Sequence, residues 1–553
     1  MAFGILESRH YPAGDVPGTA LLDELNATRY SEDELARLKK GTGRFSHVVL
    51  VPQPSDDPND PLNWPRWRKE VSFWIYMLVA ALVGAVGPLL APGYLVLAEE
   101  WGISVNDVAA TNGDLVLALG VIMIFIPPVA AKIGKRPVYL AGVATLFFCS
   151  IWSAVSKNLT SFMWSRIFQG FGMAAFEGLL VSTIADMYFV HERGLRTTIW
   201  GFAIGLGIST APIINGYVIE SNTLGYRWCF WLLCIPLGLS MFGILFFCPE
   251  TAYDRDSAFT ESAIINHAAA SVEDEKDKAI ADVEHLEKAG SPIPSARPPP
   301  PPKTFMQQVA PISYIGQVNV FKLILRPFPF FCSPIVIYGF TTYALATCWS
   351  VVLSVTSSII FAQPPYEFNA TQTGLTSLGG LAISFPSTAI IGPLTDWVGI
   401  WFARRNGGRF EPEFRLILVI GMAACQIGGF GGWCAMARRD DIHWMGPVSM
   451  LTLIGFGNGI GSACIVAYII DVFGPQTAEA IGVINLSKNL LLFGFTQFAS
   501  NWVLAMGVSN TMGLLAGITA VCLATTIPMW IYGKRARAWH ARHKKFFLIE
   551  EEK

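Results

Sequence analysis

The sequence predicts an all-α membrane protein, with twelve transmembrane helices in two pseudo-symmetric six-helix bundles. Three observations carry that prediction. First, 52% of the 553 residues are hydrophobic, only 14% are charged, and mean hydropathy is +0.44. A water-soluble core could not hide that much apolar sequence. Second, a charged, proline-rich stretch at 250–329 splits the chain into two apolar halves. Third, each half contains six runs of about 20 apolar residues, the length that crosses a hydrocarbon core as a helix.

In chain order, the polar segment 1–70 carries Lys39, Lys40, Arg44, Arg66, Arg68 and Lys69. It is too long and too polar for a cleaved signal peptide and reads as a cytosolic tail. The first bundle, 71–249, has spans near 71–95, 112–131, 137–156, 162–188, 195–219 and 228–248. The linker, 250–329, holds Asp274-Glu275-Lys276-Asp277-Lys278 and then Pro298 through Pro302, a solvated tether with an extended polyproline part. The second bundle, 330–532, has spans near 330–361, 374–395, 414–436, 444–470, 480–505 and 510–532. A second cytosolic tail, 533–553, closes the chain. Backbone satisfaction in lipid requires helices here, since barrel alternation is missing.

Basic residues of the short loops set the orientation. With the N-terminus inside, cytosolic loops carry Lys132, Lys135, Arg136, Arg193, Arg196, Arg404, Arg405, Arg409 and Arg415, while external loops carry Lys157, Arg227, Arg438 and Arg439. Both termini are then cytosolic. The sequons at Asn158 and Asn369 fall outside, as candidate glycosylation sites, and that at Asn26 falls inside. The net charge of -2 gives no basic surplus for nucleic acid. The ten Cys fall mostly in apolar runs, without metal or disulfide spacing. No cofactor or metal is expected. No nucleophile elbow, phosphate loop or metal-ligand spacing points to an enzyme.

The loop between spans 2 and 3 reads Gly134-Lys135-Arg136-Pro137, and its counterpart between spans 8 and 9 reads Gly392-Pro393-Leu394-Thr395-Asp396. This is repetition at a six-span period. An acid at a helix end and a cation in the loop can latch one side of the membrane. Span 4 carries Arg166, Gln169, Gly170, Met173 and Glu177. Arg166, Met173 and Glu177 share a helix face, with Glu177 the deeper charge. Charge at depth needs a wet cavity or a partner. Span 5 holds Gly201, Gly205, Gly207, Pro212 and Gly216, a close-packing face that can re-form during switching. Tyr338, Tyr343, Trp349, Asn458, Tyr468, Lys488 and Asn489 put polar groups into spans 7, 10 and 11. They are the candidate lining of a central cavity.

With these motifs, with Arg166-x-x-Gln169-Gly170 and with Pro249-Glu250-Thr251 ending span 6, the chain resembles the major facilitator superfamily. Asp57-Pro58-Asn59-Asp60-Pro61-Leu62-Asn63-Trp64-Pro65, Asp186 with His191-Glu192-Arg193-Gly194, and Arg227-Trp228-Cys229-Phe230-Trp231 are similar to its fungal drug:proton antiporter branch. The likeness runs from about residue 55 to 535. It implies that Arg166 with Gln169-Gly170 supports proton coupling, that Lys135 and Arg136 engage Asp186, and that the span 5 glycine-proline stretch is an antiporter signature. The chain departs from the pattern at Pro127 and Ala131 before Gly134, and at Ala211 and Asn215 in span 5. The resulting expectation is a monomeric, proton-coupled secondary transporter, in the plasma membrane before a vacuolar or vesicular one. It would export a small organic molecule by antiport, with cavity-lining spans 1, 4, 7 and 10. Proton-symport uptake of an organic nutrient or of a cation such as a polyamine is the first alternative, and a non-transporting nutrient sensor the second.

Overall fold

The computed structural model describes residues 3–7, 16, 18–21, 55, 57–221, 223–253, 303–308, 310, 312, 315–316, 318–364, 366–438, 443–543 and 546–547. Among them, twelve helices are long and apolar enough to cross a membrane. Spans 1–6 are Arg66–Trp101, Val105–Ile133, Lys135–Val155, Leu159–Met187, Glu192–Glu220 and Arg227–Phe247. Spans 7–12 are Pro334–Ser354, Ala370–Arg405, Pro412–Met436, Met445–Phe473, Thr477–Thr496 and Val508–Arg542. The linker motifs at 274–278 and 298–302, the Asn26 sequon and Lys39, Lys40 and Arg44 lie outside the described residues.

The ends follow from local chemistry. Ser104 caps span 2 by accepting from the Asp107 N–H (3.1 Å). Asn158 caps span 4 through Ser161 (2.8 Å), and Asn369 forms a reciprocal capping box with Gln372 at span 8. Each side chain satisfies an N–H that the helix cannot. Two spans are interrupted. Span 1 is α-helical over Arg66–Val86, breaks at Gly87-Pro88, turns tightly at Ala91–Gly93 and resumes at Tyr94. Span 7 contains a π-helical turn, Phe340–Ala344.

Glycines bring helices into contact. A Cβ on Gly170 of span 4 would lie 2.2 Å from the Leu115 carbonyl of span 2, and one on Gly207 of span 5 would lie 1.8 Å from the Ala81 carbonyl of span 1. Only hydrogen fits there. The first bundle packs around Phe73, Tyr76, Tyr139, Phe176 and Phe230. The second has three apolar clusters, one around Phe330, Tyr468 and Phe473, one around Trp349, Phe430 and Trp433, and one around Ala403 and Phe414 with Ile5 of the N-terminal tail. Cys348, Val352 and Leu492 of the second half join the first cluster, so the bundles share an apolar seam. Trp74, Phe148, Leu239, Phe242, Ile390, Ile420 and Val521 point outward, as a lipid-facing surface requires.

Several helix ends differ from the hydropathy boundaries. Span 8 continues to Arg405 and span 12 to Arg542. Hydropathy marks where lipid ends, whereas Arg415, Lys534 and Arg537 find carboxylates that let these ends stay ordered beyond it. The apolar run at 480–505 breaks at Thr496, and a separate helix covers Ala499–Met506. Part of the N-terminal tail is docked. Phe3 packs edge-on against Phe402 (5.2 Å) and Phe414 (6.0 Å), Ile5 is buried, and Ala20–Leu21 pairs antiparallel with Arg409–Phe410. Below, the end of the bundles nearest the chain termini is called basal.

Candidate functional site

The basal end carries a cation-acid constellation in each half. Gly134 has φ +97°, and a Cβ there would meet a Glu250 carboxylate oxygen at 2.3 Å. This lets Glu250 accept the N–H groups of Lys135 and Arg136, each at 3.0 Å, where the helix dipole also favours an anion. Lys135 Nζ then ion-pairs with Asp186 at the end of span 4. Arg136 does not join Lys135 there. It is 1% exposed and donates to the carbonyls of Cys248 (2.9 Å), Leu245 (2.8 Å) and Ala310 (2.5 Å). A planar fork suits several carbonyls, and the shorter ammonium suits one carboxylate. Arg196 makes a forked bond to Glu70 and lies over the rings of Phe73 and Tyr188 at 4.9 and 4.8 Å.

In the second half, Arg415 at the start of span 9 bridges Asp396 (2.7 Å) and Asp471 (2.6 Å). Asp471 ends span 10 as Asp186 ends span 4, so Asp396 shares its cation with a second acid. Beside it, the polarity of the Glu250 arrangement is inverted. Glu411 and Glu413 lie at the span 9 end, and Arg537 of span 12 donates to both, at 2.6 and 2.8 Å. Lys534 bonds Glu411 at 2.7 Å. Burial alone would raise the Glu411 carboxyl, but the Arg537 charge and the bonds from Lys534, Arg537 and Thr19 hold it below its ordinary value.

Two turns into span 4 from the end opposite the basal one, Arg166 is 2% exposed and turns into the first bundle. It donates to Gln169 (2.8 Å), to Asn112 (3.2 Å) and to the carbonyls of Val86 (3.0 Å) and Gly87 (3.3 Å). Those carbonyls belong to the break in span 1. Asn215 donates to a third, Leu89 (2.9 Å). The departure from glycine at 215 thus has a physical reason: a broken membrane helix needs donors for its freed carbonyls. Gln169 reaches Ser150 (3.2 Å), which completes a buried polar chain. Met173 is buried, whereas Glu177 is partly exposed. Lys488 of span 11 is also partly exposed and lies within electrostatic reach of Glu177 and of Cys348 on span 7.

The aromatic and amide set divides. Tyr343 and Asn458 are partly exposed, and Thr347 Oγ1 donates to Asn458 Oδ1 (3.3 Å) beside the π turn. Tyr338, Trp349 and Tyr468 are at most 3% exposed and are core residues rather than cavity lining. Tyr338 hydroxyl meets Thr526 (3.1 Å), Tyr468 hydroxyl donates to Met529 Sδ (3.5 Å), and Trp349 packs on Phe495 (4.7 Å). Their large apolar bodies are better buried. Asn489 is also buried, against Gly120 of span 2, so it belongs to the seam between bundles.

Away from the basal end, the bundles meet along spans 5 and 8 and along spans 2 and 11. A Cβ on Gly205 would lie 3.9 Å from Ser384, one on Gly380 would lie 3.3 Å from the Ser209 hydroxyl, and Cβ atoms on Gly216 and Gly374 would stand 2.7 and 2.3 Å from the carbonyls of Ala370 and Pro212. Gly113 packs on Thr496, and Asn106 donates to the Gln497 carbonyl (2.7 Å). The span 5 stretch therefore packs between bundles at Gly205, Pro212 and Gly216, whereas a Cβ on Gly201 would meet no other side chain or helix within 4 Å.

The sequence reading missed Glu250 as a cap, Asp471, Asn215, and the Glu411–Glu413–Arg537 group. One signal was available: Ile470-Asp471-Val472-Phe473 ends span 10 as Ala185-Asp186-Met187-Tyr188 ends span 4.

Twelve spans, paired halves and charged groups inside the membrane define a multi-pass membrane transporter and not an enzyme. The sequence pattern of the Major Facilitator Superfamily matches residues 72–496, and the chain belongs to that family. It is 27% identical to an uncharacterized MFS-type transporter of Schizosaccharomyces pombe, covering 97% of this chain and 94% of the relative. It is 24% identical to the ascochitine biosynthesis cluster MFS transporter of Didymella fabae, covering 87% of each. The crystal structure of a D-xylose-proton symporter superposes with a TM-score of 0.53 at 13% identity, over 85% of this chain and 99% of that one, a likeness of fold.

Proposed function

We propose that this protein is a proton-coupled secondary transporter that exports small organic molecules by alternating access. The observation that carries the reading is that Glu177 of span 4 and Lys488 of span 11, both partly exposed, lie within electrostatic reach of each other without forming an ion pair. Two opposite charges on different bundles change their separation whenever the bundles rock. A carboxylate at that depth can take up a proton when a nearby cation moves away and release it when the cation returns, which couples proton release to bundle movement. Arg166 and Gln169 hold the span 1 break and position span 4 beneath it. Lys135 with Asp186, and Arg415 with Asp396 and Asp471, brace each bundle at the basal end.

The basic-residue bias makes the basal end cytosolic. The close glycine contacts between bundles lie at mid-depth or nearer the opposite end, so the conformation is read as sealed outside and inward-facing. Export is favoured by the likeness to the drug:proton antiporter branch and by a relative named for a biosynthesis cluster. Symport uptake would use the same carboxylate with the coupling reversed. The plasma membrane is the proposed site.

Expression in cells stripped of endogenous pumps should lower retention of a fluorescent amphipathic compound. In vesicles with an imposed pH gradient, Glu177→Gln should lose about tenfold or more of the gradient-driven flux of that compound, while substrate exchange persists. Undiminished gradient-driven flux in Glu177→Gln would refute the carrier role.

A further inference from the structure

We infer that Glu220, the last residue of span 5, is the latch that holds the two bundles together at the end opposite the termini, and that Asn369 serves this latch rather than a glycan. The inference rests on the alternating-access reading. The Glu220 carboxylate accepts from Asn369 Nδ2 at 2.6 Å and from the Thr371 N–H at 3.2 Å. Both donors belong to the start of span 8, in the other bundle. Asn369 is oriented for this by its own capping box, in which Oδ1 accepts the Gln372 N–H at 2.8 Å.

Directly beneath, the helix backbones are in contact, with Ala370 and Pro212 carbonyls 2.7 and 2.3 Å from where Cβ atoms on Gly216 and Gly374 would stand. Thr371 hydroxyl reaches the Gly216 carbonyl at 3.4 Å. A charge-assisted, two-donor contact therefore sits on a seam already close enough to exclude side chains. The nitrogen that would carry a glycan at Asn369 is the one that bonds Glu220, so a sugar there would compete with that contact. The latch must break for the protein to open outward. It contributes to one conformation only, the condition for shifting a two-state equilibrium.

The test uses Ser209→Cys in the full chain. Ser209 lies below the latch, against Gly380 of span 8. Its labelling by an impermeant maleimide added outside is measured relative to the chain without the added cysteine. The parent should label slowly. Glu220→Ala, which removes both hydrogen bonds, should speed labelling about fivefold, the shift given by a solvent-exposed two-donor contact. Glu220→Gln should give a smaller change in the same direction and serves if the Ala variant does not reach the surface. Gly374→Ala, which wedges the seam without touching Glu220, should raise labelling at least as much. Unchanged labelling in the Glu220 variants overturns the latch. A mobility shift on deglycosylation of the Asn158→Gln chain overturns the assignment of Asn369. The labelling needs no substrate, so a chain that transports nothing yet shows the shift loses the transport reading and keeps the latch.

Discussion

Replacing Arg537 by Met removes a cation whose side chain is fully buried and whose guanidinium holds two carboxylates. Nε donates to Glu413 at 2.9 Å, Nη2 to Glu413 and Glu411 at 2.8 and 2.6 Å, and Nη1 to Thr19 at 3.2 Å. Lys534 remains for Glu411, but Glu413 would lose the partner that engages both its oxygens. Stranding a buried charge costs about 3–5 kcal/mol. For one bundle of this size that is a fall of about 10 °C in melting temperature. The assay is thermal unfolding in detergent at pH 7. The control is the double variant Arg537→Met, Glu413→Gln, which removes charge from both partners and should recover about half or more of the loss. A single variant that melts like the parent, or a double variant no better than the single, would refute the reasoning. The same cluster makes stability pH-dependent. The Glu411 carboxyl is held below its ordinary value in the folded protein, so its contribution is full above the unfolded value of about 4.3 and is lost as pH falls through the folded one. Below about pH 4.3 the parent should lose melting temperature more steeply than Glu411→Gln.

Asp186→Lys should slow transport about tenfold at matched surface expression, because two cations then face each other at the span 3–span 4 contact. Adding Lys135→Asp should recover part of the rate, and equal transport by Asp186→Lys and parent would remove the pair from the switching cycle. Gly170→Leu should lower melting temperature and surface expression through a loss of about 1–3 kcal/mol, since its first side-chain carbon alone would lie 2.2 Å from the Leu115 carbonyl. Gly194→Ala, with no neighbour within 4 Å, should be near neutral.

The twelve spans were legible because lipid imposes one rule on the chain: long apolar runs must be helices. Paired loops and signature residues then pointed to two related bundles, and to Lys135, Asp186, Asp396, Arg166 and Glu177 as sites of charge. What the sequence could not decide was which way each side chain faces, because a span that is apolar all round has no polar face to mark the cavity. Tyr338, Trp349 and Tyr468 have the same composition-level signature as Tyr343 and Asn458, yet tertiary packing buries the first three and leaves the other two partly exposed. Arg166 reads as a charge awaiting a function until the fold brings the broken backbone of span 1 against it. The Arg537 cluster and the Glu220–Asn369 contact join residues more than a hundred positions apart. Such pairings leave no local pattern, and only the folded chain, where desolvated charges must find partners, determines them.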